Sequence, residues 1–97
     1  MEKTGSSNSF LLETLDELGE DDFKRFKHKL KRIPLEEGYQ VIPWGRLEKG
    51  DRVDVTDLLT SHYGERYGVE VTVQVLRDIS HRDLAERLTE AISAGKA

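Results

Sequence analysis

A chain of 97 residues is one domain's worth of protein, and folding at that size buries about two-thirds of the surface the unfolded chain exposes. Charged residues make up 35% of it against 36% hydrophobic, a balance that suits short amphipathic helices with densely charged outer faces and argues against a deep substrate pocket. With no cysteine there is neither a disulfide framework nor a thiolate metal site, which fits a reducing, cytoplasmic setting; no run approaches the roughly 18–20 apolar residues of a membrane span, and a net charge of -4 speaks against nucleic acid as a main partner.

Residues 1–8 (MEKTGSSN) are polar with nothing to bury and are expected to form a disordered leader. From Ser9 the pattern turns helical: Leu11, Leu15 and Leu18 recur on one face and Gly19 supplies a stop. Glu20, Asp21 and Asp22 then place negative charge at a helix start, and Phe23, Phe26, Leu30 and Ile33 form one stripe that Pro34 ends. The following stretch to Arg52 holds both prolines and three glycines, a long loop with room for a turn of helix around Trp44 to Lys49.

Asp51 or Asp54 can cap a fourth helix, in which Val55, Leu58, Leu59, His62 and Tyr63 share an apolar face before Gly64 to Gly68 loosens the chain; its end is expected near Tyr67. Val69, Val71, Val73 and Val75 alternate as a strand would, but Val69, Val73, Leu76 and Ile79 also fit a helix. No second strand-like run exists to pair with, so a β-branched helix is the better reading. Ser80 to Asp83 (SHRD) has the form of a capping box, and Leu84, Leu88 and Ile92 follow on one face until Gly95 closes the last helix. The expectation is all-α: a compact bundle of six helices, the third of them short, filling residues 9–94 with a 95–97 tail.

Charge is segregated along this bundle. Lys24 to Arg32 holds six Lys or Arg and no acid, so the second helix is a positive ridge carrying Lys24, Arg25, Lys27 and Lys29. Glu13, Asp16, Glu17 and Glu20 gather opposite the leucines of the first helix, and Asp51, Asp54 and Asp57 form a second acidic patch on the fourth. Inert surfaces intersperse the two signs, whereas two opposite patches on one body are what head-to-tail association needs. A basic helix also suggests nucleic acid or anionic lipid, but Phe23 and Phe26 lie on the core stripe and the acidic patches repel a polyanion, so neither nucleic acid nor a membrane is expected as partner.

Nothing supports catalysis. Ser61 and His62 are neighbours in sequence, the three histidines stand on separate segments without metal-ligand spacing, and no glycine-rich phosphate cradle is present. Catalytic, cofactor and metal sites are expected to be none. Trp44, a lone tryptophan in a long loop, is read as a core-edge residue or an interface anchor.

Taken together, LLETLDELGEDDFKRFKHKLKRIPLEEGYQVIP, DVTDLLTSHYGERYG and VTVQVLRDISHRDLAERL resemble a pyrin domain, over Leu11 to about Ile92. The most specific part is the basic F-K-x-K-L at Phe26 to Leu30, followed by P-L-x-E-G-Y at Pro34 to Tyr39 and I-P at Ile42 to Pro43. The resemblance implies a six-helix death fold and homotypic pyrin–pyrin binding in inflammasome assembly, with the pyrin domain of the speck-forming adaptor, whose other domain recruits a caspase, as partner. It also implies self-association into a filament from a monomer at low concentration. It puts Lys24 and Lys29 on the positive side of the contact and Glu13, Asp16, Asp51, Asp54 and Asp57 on the negative side. Trp44 stands where the adaptor has a basic residue, and Arg46 is the nearby charge able to compensate. The rival readings are a pyrin-only decoy and a small nucleic-acid binder.

Overall fold

The computed structural model describes residues 7–96, which form five α-helical elements: α1 (Ser7–Asp16), α2 (Glu20–Leu30), α3 (Trp44–Lys49), α4 (Arg52–Asp78) and α5 (Arg82–Lys96). No strand occurs among the described residues. Residues 1–6 of the expected leader lie outside the described residues, whereas Ser7 and Asn8 already belong to α1. At the other end α5 continues through Gly95 to Lys96, because a glycine weakens a helix by about 1 kcal/mol without being obliged to end it.

The leucine and phenylalanine stripes read from the sequence face the core. Leu11, Leu15, Leu18, Phe23, Phe26, Leu30 and Ile33 are all buried, and α4 packs against α1, α2 and α5 as the spine of the bundle. Each such side chain contributes on the order of 1.5–3 kcal/mol by leaving water. α2 carries Glu20, Asp21 and Asp22 in its first turn and Lys27, His28 and Lys29 in its last, so both ends complement the helix dipole. It stops at Leu30 rather than at Ile33, since the residue before a proline is pushed out of helical geometry.

α4 is where sequence and structure differ most. The expected fourth and fifth helices form one element whose backbone leaves helical geometry at Gly64, with φ 81 and ψ 169, a left-handed region open to glycine. Gly68 does not loosen the chain at all. It is buried inside the second arm, where a Cβ would stand 3.2 Å from the Leu59 carbonyl oxygen, so its bare backbone lets the two arms of α4 touch. The valine-rich arm is helical, and Val71, off the expected stripe, is as buried as Val75 because that arm is surrounded on more than one side.

Helix ends supply two further findings. Both candidate caps of α4 act together: Asp51 accepts from the Asp54 amide at 2.9 Å, and Asp54 accepts from the Asp51 amide at 3.2 Å. The SHRD capping box does not form. Ser80 adopts φ 72 and closes α4, its amide donating to Arg77 O at 3.1 Å while that of His81 donates to Leu76 O at 2.7 Å, the paired bonds of a Schellman end.

The long loop between α2 and α3 is fastened to α4 by tyrosines. Tyr63 donates its hydroxyl to Gln40 O at 2.9 Å, the Glu36 amide donates to the Tyr67 hydroxyl at 2.8 Å, and Tyr39 stacks on Tyr67 with centroids 4.1 Å apart. Burial pushes the Tyr63 hydroxyl above its usual pKa, an effect the Ile42 backbone partly offsets and Tyr67 reinforces. Ile42 is buried just before α3 begins.

Candidate docking surfaces

A 100° step per residue turns Lys24, Arg25, His28 and Lys29 outward once Phe23, Phe26 and Leu30 face the core, and all four are exposed. Arg25 approaches Asp22 at 4.0 Å, a loose pair, while Lys24 and Lys29 have no side-chain partner among the described residues. Lys27 does not belong to this ridge. Only 9% exposed, it lies four residues from Phe23 on the core stripe, and its Nζ donates to Glu48 O at 3.1 Å and Gly50 O at 3.0 Å. It therefore caps the end of α3, and the same periodicity that located the phenylalanines marks it as inward.

Arg52 is its counterpart, unremarked in the sequence reading. From the first turn of α4 its guanidinium donates to Leu15 O at 3.0 Å and Leu18 O at 2.7 Å, closing the end of α1. Lys27 Nζ and Arg52 Cζ stand 4.8 and 4.7 Å from the centre of the Phe23 ring. One ring thus organises two cations that tie α1, α2, α3 and α4 together. A signal existed: a cation at the start of a helix is opposed by the dipole and needs a compensating partner.

Trp44 occupies the core edge, half-buried, with His28 tilted against it at 4.7 Å and Lys31 Nζ 4.3 Å from its ring centre. Uncharged itself, it anchors α3 to the basic helix. Arg46 is exposed and lines a shallow cleft with Lys49, Asp54 and Asp57. His62 lines that cleft as well and is exposed, at the edge of the face on which α4 buries Leu59 and Tyr63.

Glu13 and Asp16 are exposed on α1; Glu17, in the turn that follows, and Glu20, the first residue of α2 rather than part of the first helix, are exposed as well. Glu17 reaches Arg87 of α5 at 3.7 Å with both side chains more than half exposed, which is worth little. Asp51 and Asp54 are exposed yet held in their reciprocal cap, while Asp57 has no side-chain partner among the described residues. α1 and α4 pack side by side, and Arg52 fixes the start of the acidic helix turn against the end of α1. Three or more His, Cys, Asp or Glu grouped to hold a metal do not occur among the described residues, and no helix is long and apolar enough to cross a membrane.

The model of the PAAD/DAPIN/Pyrin domain matches residues 10–86, from the first turns of α1 into α5. The chain belongs to the pyrin-domain family. It is similar to the apoptosis-associated speck-like protein containing a CARD of Bos taurus, 46% identical over 94% of this chain, and spans about half, 47%, of that relative's length. Pyrin domain-containing protein 1 of Homo sapiens is 41% identical over 90% of this chain and is covered over 98% of its own length. The solution structure of the pyrin domain of human Pyrin superposes with a TM-score of 0.82 at 40% identity, over 89% of this chain and 96% of that one. In this pyrin domain the two lysines of F-K-x-K-L part company: Lys27 is built into the fold and Lys29 faces solvent.

Proposed function

We propose that this pyrin domain is a homotypic interaction module, which docks the exposed face of α2 on the acidic faces of α1 and α4 of another pyrin domain, its own copy or that of a speck-forming adaptor. The reading places it in the cytoplasm, in inflammasome assembly. The observation that supports it best is the segregation of unpaired charge: Lys24 and Lys29 on one helix, with Glu13, Asp16 and Asp57 on two others of the same body. Such a contact is heterologous, leaves both faces of the pair open, and so propagates into a filament. Exposed ion pairs contribute about 0–1 kcal/mol each and are screened by salt, so assembly is cooperative and salt-sensitive while isolated pairs stay weak.

Light scattering of the purified domain against concentration and salt, with and without an adaptor pyrin domain, tests this. Lys24→Glu and Lys29→Glu are expected to raise the assembly threshold at least about tenfold, the factor given by 1.4 kcal/mol of lost contact. Wild-type behaviour in both variants, or assembly indifferent to salt, overturns the reading.

A second reading is favoured by the human relative covered over 98% of its length, in which a pyrin domain stands nearly alone. A domain of that kind would bind the end of a growing assembly and stop it. Substoichiometric addition to a polymerising partner separates the two: the first reading shortens the lag, the second lowers the plateau.

A further inference from the structure

The C-terminal half of α2 and the turn that joins α4 to α5 enclose an open cleft of about 530 Å³ that shares Arg25 and Lys29 with the docking face of α2. Arg25, His28, Lys29, Lys31 and Arg32 line its basic side, and Ser80 lies across from them. Four permanent positive charges thus face the single carboxylate of Asp78, on a chain whose net charge is -4. Asp78 is in turn held by Gln74, whose Nε2 donates to its Oδ1 at 3.2 Å. Lys31 is partly engaged over Trp44, whereas Lys29 and Arg32 have no side-chain partner among the described residues.

Ser80 adds a second, independent observation. It is the one non-glycine residue of the described chain with positive φ, at a helix end where glycine is the residue without steric cost. A strained, exposed serine lining a cationic cleft is accounted for when its side chain has a ligand to meet.

We infer that this cleft is a binding site for a compact polyphosphate, with the guanidinium forks of Arg25 and Arg32 and the ammonium groups of Lys29 and Lys31 on its phosphates and the Ser80 hydroxyl donating a further hydrogen bond. Phosphate suits the site better than a carboxylate does. Arginine forks bind its oxygens in pairs, and a dianionic group draws on several cations at once where a lone carboxylate would form one weak exposed pair. A volume of about 530 Å³ lies within the range of small-ligand sites. A nucleic-acid strand is the poorer occupant, because the acidic faces of α1 and α4 repel a long polyanion that a compact one does not reach. The same chemistry is carried by a soluble inositol polyphosphate and by a phosphoinositide headgroup. Occupation would neutralise Lys29 and Arg25 and so compete with docking, although the site itself does not depend on that reading.

Calorimetric and ¹⁵N-NMR titration of the monomeric domain at physiological salt with inositol hexakisphosphate, beside inorganic sulfate, tests the proposal. Expected are one-to-one binding with a Kd on the order of 10–100 μM, amide shifts centred on residues 28–32 and 78–80, and no saturable sulfate binding. The double variant Lys29→Ala/Arg32→Ala should bind at least tenfold more weakly while Arg66→Ala binds as wild type. Ser80→Gly should bind several-fold more weakly yet melt at a higher temperature, a combination that a purely structural serine does not produce. Co-sedimentation with phosphatidylcholine vesicles carrying phosphatidylinositol 4,5-bisphosphate distinguishes a membrane source from a soluble one. Shifts scattered over the surface, or equal losses in Arg66→Ala and in the double variant, overturn the site. Assembly that fails with Lys24→Glu while the titration is unchanged leaves it standing, so it can fail or survive apart from the docking reading.

Discussion

Lys27 and Arg52 on one side, Lys24 and Lys29 on the other, are all cations, three of them within six residues of one helix, and the structure uses the two pairs oppositely. The inner pair flanks Phe23 and closes the carbonyl ends of α3 and α1. The outer pair stands free in water. What decides between the two fates is the helical stripe on which each lies and whether an orphaned carbonyl waits within reach. A basic run is therefore not one surface, and counting its charges overstates the face it presents to a partner.

Removing Lys27 should have the largest effect on stability. Lys27→Met keeps most of the stem but leaves the Glu48 and Gly50 carbonyls without their charged donor, the bond to Gly50 O being buried. A loss of about 3 kcal/mol in urea unfolding is expected; a loss under about 0.5 kcal/mol would make Lys27 a surface residue after all and restore it to the ridge. Arg52→Ala follows at about 2 kcal/mol, since both of its hydrogen bonds are only part-buried. Arg52→Lys should recover part of that by serving one carbonyl in place of two, and full recovery would show that the fork geometry is irrelevant.

A neutral anchor sets the scale for these cationic ones. Tyr63→Phe deletes the bond to Gln40 O and should cost about 1 kcal/mol. It should also change the alkaline limb of stability. The raised pKa means that the folded state holds the Tyr63 proton more tightly than the unfolded chain, whose tyrosine titrates near 10.0. Above that pH the folded state binds more protons, so stability falls as pH rises, and the contribution is intact below it. Denaturation followed between pH 9 and 11 should show a shallower decline in Tyr63→Phe than in the wild type; parallel curves would remove Tyr63 as the cause.

Much of this frame is legible in the sequence, because short-range rules dominate it. Leu11, Leu15 and Leu18, the phenylalanine stripe and the six residues of α3 follow from periodicity and punctuation, and the absence of any pairing strand correctly turns the valine run into helix. Two of the misreadings share one cause, a partner distant in sequence. Lys27 meets carbonyls 21 and 23 residues away and Arg52 meets carbonyls 37 and 34 residues back. Gly68 matters for its contact with Leu59 across the break at Gly64, and Ser80 ends one helix instead of opening the next because its backbone turns left-handed. Local pattern has no access to such contacts. The charge segregation is legible in the sequence; that Lys27 lies inside the fold is decided by packing.

The outer pair carries the smallest expected effect on folding and for that reason the sharpest test of the comparison. Lys24→Met and Lys29→Met remove exposed charges that touch no carbonyl, so unfolding free energies should stay within about 0.5 kcal/mol of wild type. Their cost should appear only in association, as a raised assembly threshold and a weaker dependence on salt. Lys27→Met, measured at a temperature where it remains folded, should show the reverse, a lower unfolding midpoint with an unchanged threshold. If all three variants shift association equally, α2 acts through its total charge and the division into inner and outer cations has no functional meaning. If only the outer two do, the docking face is narrowed to the solvent side of one helix, and the inner cations are assigned to holding that helix at its angle against α1, α3 and α4.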